Sequence, residues 1–171
     1  METITNIFNA TVKGCSVVVL FNTVKKSILF YENLKRMIKD TDVYLIHSRL
    51  ISAQKDLVID SIKKKIDEIK DGKGERRMII VSTQVIEASV NIDADYMITE
   101  IAPMDSLIQR FGRVYRNRLN DYARNAPNCY VIKYAKKDDD TNLDDSNLYN
   151  DSILNATLKI LKSSVERPLS Y

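Results

Sequence analysis

Three arginines at steps of three, Arg110, Arg113 and Arg116, stand in the run Gln109-Arg110-Phe111-Gly112-Arg113-Val114-Tyr115-Arg116. In helical geometry, side chains at that spacing share one side. Guanidiniums on one side repel each other and gain nothing unless anions meet them. Arginine offers a planar fork of donors matched to phosphate oxygens, and it stays charged at any relevant pH. The chemistry open to this run is therefore to hold a phosphoryl group and stabilise charge on its oxygens. Gly112 permits close backbone approach in its middle. A solvated basic helix face is the bland alternative, but Gln-Arg-x-Gly-Arg-x-x-Arg placed after a strand and Pro103 is far narrower than basicity.

A second cluster runs from Ser82 through Thr83 and Gln84 to Asn91 and Asp93. Its hydroxyls and amides follow a buried apolar run directly, where a hydroxyl and backbone amides can hold a nucleic-acid phosphate. Alone it would read as a capped loop. His47 is the single histidine, so no metal cluster or Ser-His-Asp machinery can be built around several, and alone it reads as a surface histidine. Asp71-Gly72-Lys73-Gly74 is not a phosphate loop, because Gly-x-x-x-x-Gly-Lys-[Ser/Thr] occurs nowhere in the sequence. A DExD/H acidic box after a strand is missing too. Tyr115 suits a core or surface position better than base stacking.

These side chains need a frame, and the apolar pattern supplies one. Short β-branched runs without alternation, Cys15–Phe21, Asp42–Ile46, Met78–Ser82, Tyr96–Glu100 and Cys129–Tyr134, predict strands of a parallel sheet. Between them, Val24, Ile28, Tyr31, Leu34 and Ile38 recur at helical spacing behind an Asn22-Thr23 cap. Ala53–Ile69 predicts a long helix with Leu57, Ile62, Ile66 and Ile69 buried. Pro103 opens a short helix through Arg110, and Asn150–Ser164 closes the chain with Ile153, Leu154, Leu158 and Leu161 aligned. Strands alternating with helices imply an α/β fold, a parallel sheet with helices on both faces. The expectation is a single domain over 1–171, with its core at about 15–164 and an acidic mobile loop at 136–150. His47–Arg49, Ser82–Thr83 and Pro103 then fall on the carboxyl edge of the sheet, where ligands gather in such folds.

Composition narrows the classes further. The 171 residues suit one domain, and 44% apolar content supports a sizeable core. Net charge is only +3, but the acidic residues concentrate near the C-terminus, so the preceding part is more basic than the sum. Cys15 and Cys129 lie in apolar runs and read as buried thiols of a cytoplasmic protein. No stretch of about 18 apolar residues exists to span a membrane, and no signal sequence opens the chain.

The stretch Ser82–Arg116 resembles motifs V and VI of superfamily 2 helicases. Ser-Thr-Gln-Val-Ile-Glu-Ala-Ser from Ser82, then Asp-Ser-Leu-Ile-Gln-Arg-Phe-Gly-Arg from Asp105, is most similar to the CRISPR-associated helicase–nuclease of type I interference. Val18–Lys25 is similar to that family's motif IV, Ile46–Leu50 to its next nucleic-acid-facing loop, and Tyr149–Leu158 to the helix after motif VI. The resemblance covers Cys15 to about Leu161. It implies a RecA-like second helicase domain without a P-loop, completing a site for ATP and Mg²⁺ held mainly by a first RecA-like domain. Arg113 and Arg116 match the pair reaching the γ-phosphate, with Gln109, Arg110 and Gly112 in the same nucleotide motif. Gln109 and Arg110 would orient it and couple it to neighbouring loops. Asn91 stands where many members place a ribose-binding Asp. It can bond a hydroxyl but brings no charge, and Asp93 is either the compensating carboxylate or a loop cap. Thr83 and Gln84, with Asn22, Thr23, His47, Ser48 and Arg49, are the implied contacts to single-stranded DNA.

The implied activity is ATP-driven 3′-to-5′ movement along single-stranded DNA, coupled to an HD nuclease domain and recruited by an RNA-guided surveillance complex. Turnover of ATP by this domain alone is not expected, nor is a resident metal. Two other readings stay open: a noncatalytic module binding nucleic acid or protein, and the corresponding domain of another superfamily 2 DNA or RNA helicase.

Overall fold

The unbroken β-branched runs fold into the buried middle of one sheet. A computed structural model describes residues 15–39, 41–73, 77–86, 91–116, 128–133 and 148–164. Strands β1 (Ser16–Leu20), β2 (Asp42–Ile46), β3 (Met78–Ser82), β4 (Tyr96–Glu100) and β5 (Cys129–Ile132) form a five-stranded sheet in the order β2-β3-β1-β4-β5. Every pairing is parallel, with Val18 at the centre of the register between Ile80 and Met97. β1 and β3 are buried at all positions, whereas β5 at an edge is half-buried throughout. Three of the predicted strands keep their bounds. The first loses a residue at each end, and the last stops at Ile132; Tyr134 lies outside the described residues, as does most of the acidic stretch 136–150.

Alternate residues of each strand face opposite ways, so the sheet has two apolar faces. Val17, Val19, Phe21, Ile79, Val81 and Ile98 meet helix α1 (Val24–Met37) through Phe30, Tyr31 and Leu34. Val18, Leu20, Ile80 and Met97 meet helix α2 (Ser52–Lys70) through Ile59 and Ile62. Helix α3 (Met104–Phe111) and helix α4 (Asp151–Ser164) share a third cluster, in which Leu154, Leu158 and Leu161 cover Ile101, Ala102 and Leu107.

Two predicted helix stripes are corrected. In α2, Leu57 is 70% exposed while Ile59 and Ile62 are buried. At about 100° per residue, a stripe through Ile62 and Ile66 reaches back to Val58 and Ile59, and Leu57 falls well to one side. In α4, Ile153 is exposed because it precedes the Leu154–Leu158–Leu161 row by one position. Thr23 caps α1 as expected, its extended backbone letting the hydroxyl accept from the Lys26 amide.

Candidate functional site

Helix α3 ends at Phe111, with Gly112 as its cap, so the three arginines do not share one helical side. The Arg113 amide donates to the Arg110 carbonyl and the Val114 amide to that of Phe111, closing a turn after the helix. Val114 then bridges Ala94 in parallel: the Ala94 amide donates to the Arg113 carbonyl (3.0 Å) and the Tyr115 amide to that of Ala94 (3.1 Å). Tyr115 takes a left-handed conformation, φ 51°. The exposed Arg116 is held at both levels. Its amide donates to Asp93 Oδ1 and its Nη1 to Asn91 Oδ1, each at 2.9 Å. Asn91, Asp93 and Arg116 are therefore together, with Asn91 orienting the guanidinium and Asp93 acting as a cap for the arginine loop.

Arg113 is half-buried beside this loop. Gln109 and Gly112 are exposed. A Cβ on Gly112 would meet the Ile108 carbonyl oxygen at 3.6 Å, an ordinary contact, so no close approach among the described residues demands a glycine there.

Arg110 goes the other way. It is 0% exposed, the largest fully buried side chain among the described residues. Its Nη1 donates to Thr99 Oγ1 at 2.7 Å and to the Glu100 carbonyl at 3.2 Å, and its Nη2 donates to Asn22 Oδ1 at 3.2 Å. Asn22 in turn donates from Nδ2 to the Ile101 carbonyl (2.7 Å) and from its amide to Glu100 Oε2 (2.8 Å). The other Glu100 oxygen takes Lys26 Nζ at 2.6 Å, with Glu100 side-chain exposure of 5%. A buried cation needs hydrogen bonds to offset its lost hydration, and Thr99, the Glu100 carbonyl and Asn22 accept three from Arg110. Thr99, Glu100 and Lys26 escaped the sequence reading. The available signal was a carboxylate ending an otherwise apolar strand, directly after a threonine.

The remaining candidates sit at the carboxyl ends of β1, β2 and β3. The Ser82 hydroxyl and the Thr83 amide both donate to the Ile46 carbonyl, which locks the buried Thr83 beside the His47 loop. Ser48 and Arg49 are exposed. His47 is 6% exposed, and its Nδ1 makes no hydrogen bond among the described residues. Burial, then the Arg49 guanidinium, hold its imidazole below the usual histidine range. Gln84 Nε2 donates to the Tyr149 hydroxyl at 3.1 Å, tying this loop to the approach of α4. Residues 87–90 of the same cluster lie outside the described residues.

Two places result rather than one. Asn22, His47 and Thr83 follow the carboxyl ends of their strands, whereas the arginine loop bridges Ala94, ahead of the amino end of β4. At ~3.3 Å per residue the six steps from Ala94 to Glu100 span about 20 Å. A cavity of about 320 Å³ opens elsewhere, at the amino ends of β2 and β3, between Lys35, Lys39, Asp42, Lys65 and Arg77. It lies at the edge of the sheet opposite to the carboxyl-end loops. Among the described residues there is no group of three or more His, Cys, Asp or Glu that could hold a metal ion, and no helix is long and apolar enough to cross a membrane.

The family profile described as "CRISPR-associated nuclease/helicase Cas3, C-terminal" matches residues 13–119. The chain belongs to this Cas3 C-terminal family. The Cas3 of Methanothermobacter thermautotrophicus is 40% identical over 91% of the chain, and that of Streptococcus thermophilus 31% identical over 91%. The chain spans only 17% and 16% of the length of these two Cas3 relatives. Among solved structures, T. fusca Cas3–ADP superposes with a TM-score of 0.81 at 23% identity, covering 99% of this chain and 20% of that one. The C-terminal domain of the DEAD-box protein Dbp5 gives 0.55 at 15% identity, covering 96% of this chain and 78% of that one. The fold is thus RecA-like, shared by Cas3 and by the second domain of DEAD-box helicases.

Proposed function

We propose that this chain is the second motor domain of an ATP-dependent single-stranded DNA translocase acting in CRISPR interference. The observation that carries the reading is the arginine loop. Arg113 and Arg116 are presented on a backbone pinned to Ala94 and Asp93, with the exposed Arg116 guanidinium oriented by Asn91. The site's donor chemistry fits a nucleoside triphosphate. The Arg116 guanidinium uses one of its N–H groups at Asn91 among the described residues and is otherwise open to an anion. Solved structures titled Cas3–ADP and Cas3–AMPPNP share this fold, which supports a nucleotide as the ligand.

Bound ATP with Mg²⁺, held mainly by a P-loop domain, supplies the phosphoryl group whose hydrolysis drives movement. Arg113 and Arg116 stabilise negative charge on that group without exchanging a proton, since arginine stays protonated. Asn91 and Asp93 fix the loop that aims them. Ser48 and Arg49, exposed at the carboxyl edge, and Thr83 beside them line the DNA track, giving sequence-tolerant and salt-sensitive binding. With no Walker A sequence, this chain does not turn over ATP by itself. An HD nuclease and an RNA-guided surveillance complex complete the assembly; the match to a chain of a structure titled "CRISPR RNA-guided surveillance complex, pre-nicking" is consistent with this.

The test is complementation in trans. A P-loop domain from the same system is added to the chain, and ATP hydrolysis is followed with and without single-stranded DNA. Hydrolysis that requires both proteins and rises with DNA supports the motor. A folded, demonstrably associated pair that hydrolyses nothing leaves the chain as a noncatalytic binding module.

A further inference from the structure

The arginine loop and the carboxyl-edge loops lie about 20 Å apart along β4, yet one residue contacts both regions, Arg110, with its backbone at one and its side chain at the other. Arg110 holds the arginine loop through its carbonyl, which accepts from the Arg113 amide at 3.0 Å. Its guanidinium reaches the far end of β4 and the β1–α1 loop, meeting Thr99 Oγ1, the Glu100 carbonyl and Asn22 Oδ1. Asn22 adjoins Thr23, the cap of α1, and is fixed to β4 by its own amide and Nδ2. Thr99 and Arg110 are buried and Asn22 is half-buried, so a shift of the β1–α1 loop strains the hydrogen bonds of Arg110.

We infer that Arg110, Thr99 and Asn22 form a positioning strut that transmits the state of the DNA-side β1–α1 loop to Arg113. The inference rests on the motor reading above and assigns Asn22 a role other than strand contact: its amide is committed inward at both ends. The strut raises hydrolysis when DNA settles the β1–α1 loop, by holding Arg113 where the developing phosphoryl charge needs it. Arg110 itself touches neither nucleotide nor DNA.

The test uses the chain with its P-loop domain, comparing Thr99→Val, Thr99→Ser and Asn22→Ala with wild type. Thr99→Val keeps the side-chain shape and removes the hydroxyl, while Thr99→Ser restores it. The expected result for Thr99→Val and Asn22→Ala is a fall of about tenfold in the ratio of DNA-stimulated to basal kcat, the factor carried by one lost hydrogen bond to a charged group. The KM for ATP and the affinity for fluorescent single-stranded DNA stay within about twofold, and Thr99→Ser recovers the ratio. A folded Thr99→Val with an unchanged ratio overturns the inference, as does an Asn22→Ala whose lost stimulation is matched by lost DNA affinity. Wild type lacking any DNA-stimulated hydrolysis overturns the motor reading instead, so the two failures are separable. Should Asn22→Ala fail to fold, the Thr99 pair decides alone.

Discussion

Neutralising Glu100 tests the buried network most simply. Both oxygens of this carboxylate accept, one from Lys26 Nζ at 2.6 Å and the other from the Asn22 amide at 2.8 Å. Glu100→Gln preserves the shape but must turn its NH₂ toward one of those two donors. It also leaves the Lys26 cation without its anion. Side-chain exposures of 14% and 5% for Lys26 and Glu100 put the pair in the buried class, where removing one partner costs about 3–5 kcal/mol, rather than the surface class, at about 0–1 kcal/mol. For a domain of this size, each kcal/mol moves the midpoint by about 2–4 °C, so Tm should fall by about 6–20 °C. Thermal and urea unfolding followed by circular dichroism would read this directly. Adding Lys26→Met to Glu100→Gln should recover part of the loss, with a coupling of about 0.5–3 kcal/mol in the double-mutant cycle. A Glu100→Gln loss below about 1 kcal/mol would place the pair among surface bridges and refute the stabilising role given to it.

Three further outcomes follow from individual environments. Burial and Arg49 depress the His47 pKa, so the folded chain binds fewer protons there than the unfolded chain. The stability this group contributes is complete above the usual value of about 6.5 and declines below it; His47→Gln should flatten the decline between about pH 6.5 and 5, and an identical slope in both proteins would refute this. Desolvation pushes the thiol of the half-buried Cys129 up to about 12, so iodoacetamide at about pH 8 should modify it far more slowly in the native chain than after unfolding, and equal rates seen by mass spectrometry would contradict the shift. Tyr149→Phe removes the hydroxyl that accepts from Gln84, costing about 0.5–1.5 kcal/mol and speeding amide exchange in α4; unchanged exchange would show that this bond does not anchor the helix.

Much of the frame was legible because each element carries its own period. Met78–Ser82 reads as a short β-branched strand buried on both faces, and Thr23 before an apolar 3.6-residue repeat reads as a helix start. Placement around a helix was less legible: a stripe drawn through Leu57 instead of Ile59 is 140–160° adrift, and nothing local penalises the error. The arginine run shows the same limit more sharply. Steps of three suggest a shared side only while the helix continues, and α3 stops between Arg110 and Arg113. Which arginine turns inward depends on Asn22, Thr99 and Glu100, two of them on another strand, so spacing alone could not tell the buried Arg110 from the exposed Arg116. The partnership of Asn91 and Asp93 with Arg116 was equally hidden, because it spans more than 20 positions and a parallel bridge at Ala94.

In the proposed motor, Arg113 and Arg116 act on a phosphoryl group held by another domain. Single-turnover hydrolysis in the assembled motor measures that step apart from nucleotide binding and product release. Arg113→Ala should slow it by about 10³–10⁵-fold, the range for arginine fingers, while nucleotide affinity changes far less. A single-turnover rate equal to wild type, in a folded and associated variant, would contradict the account.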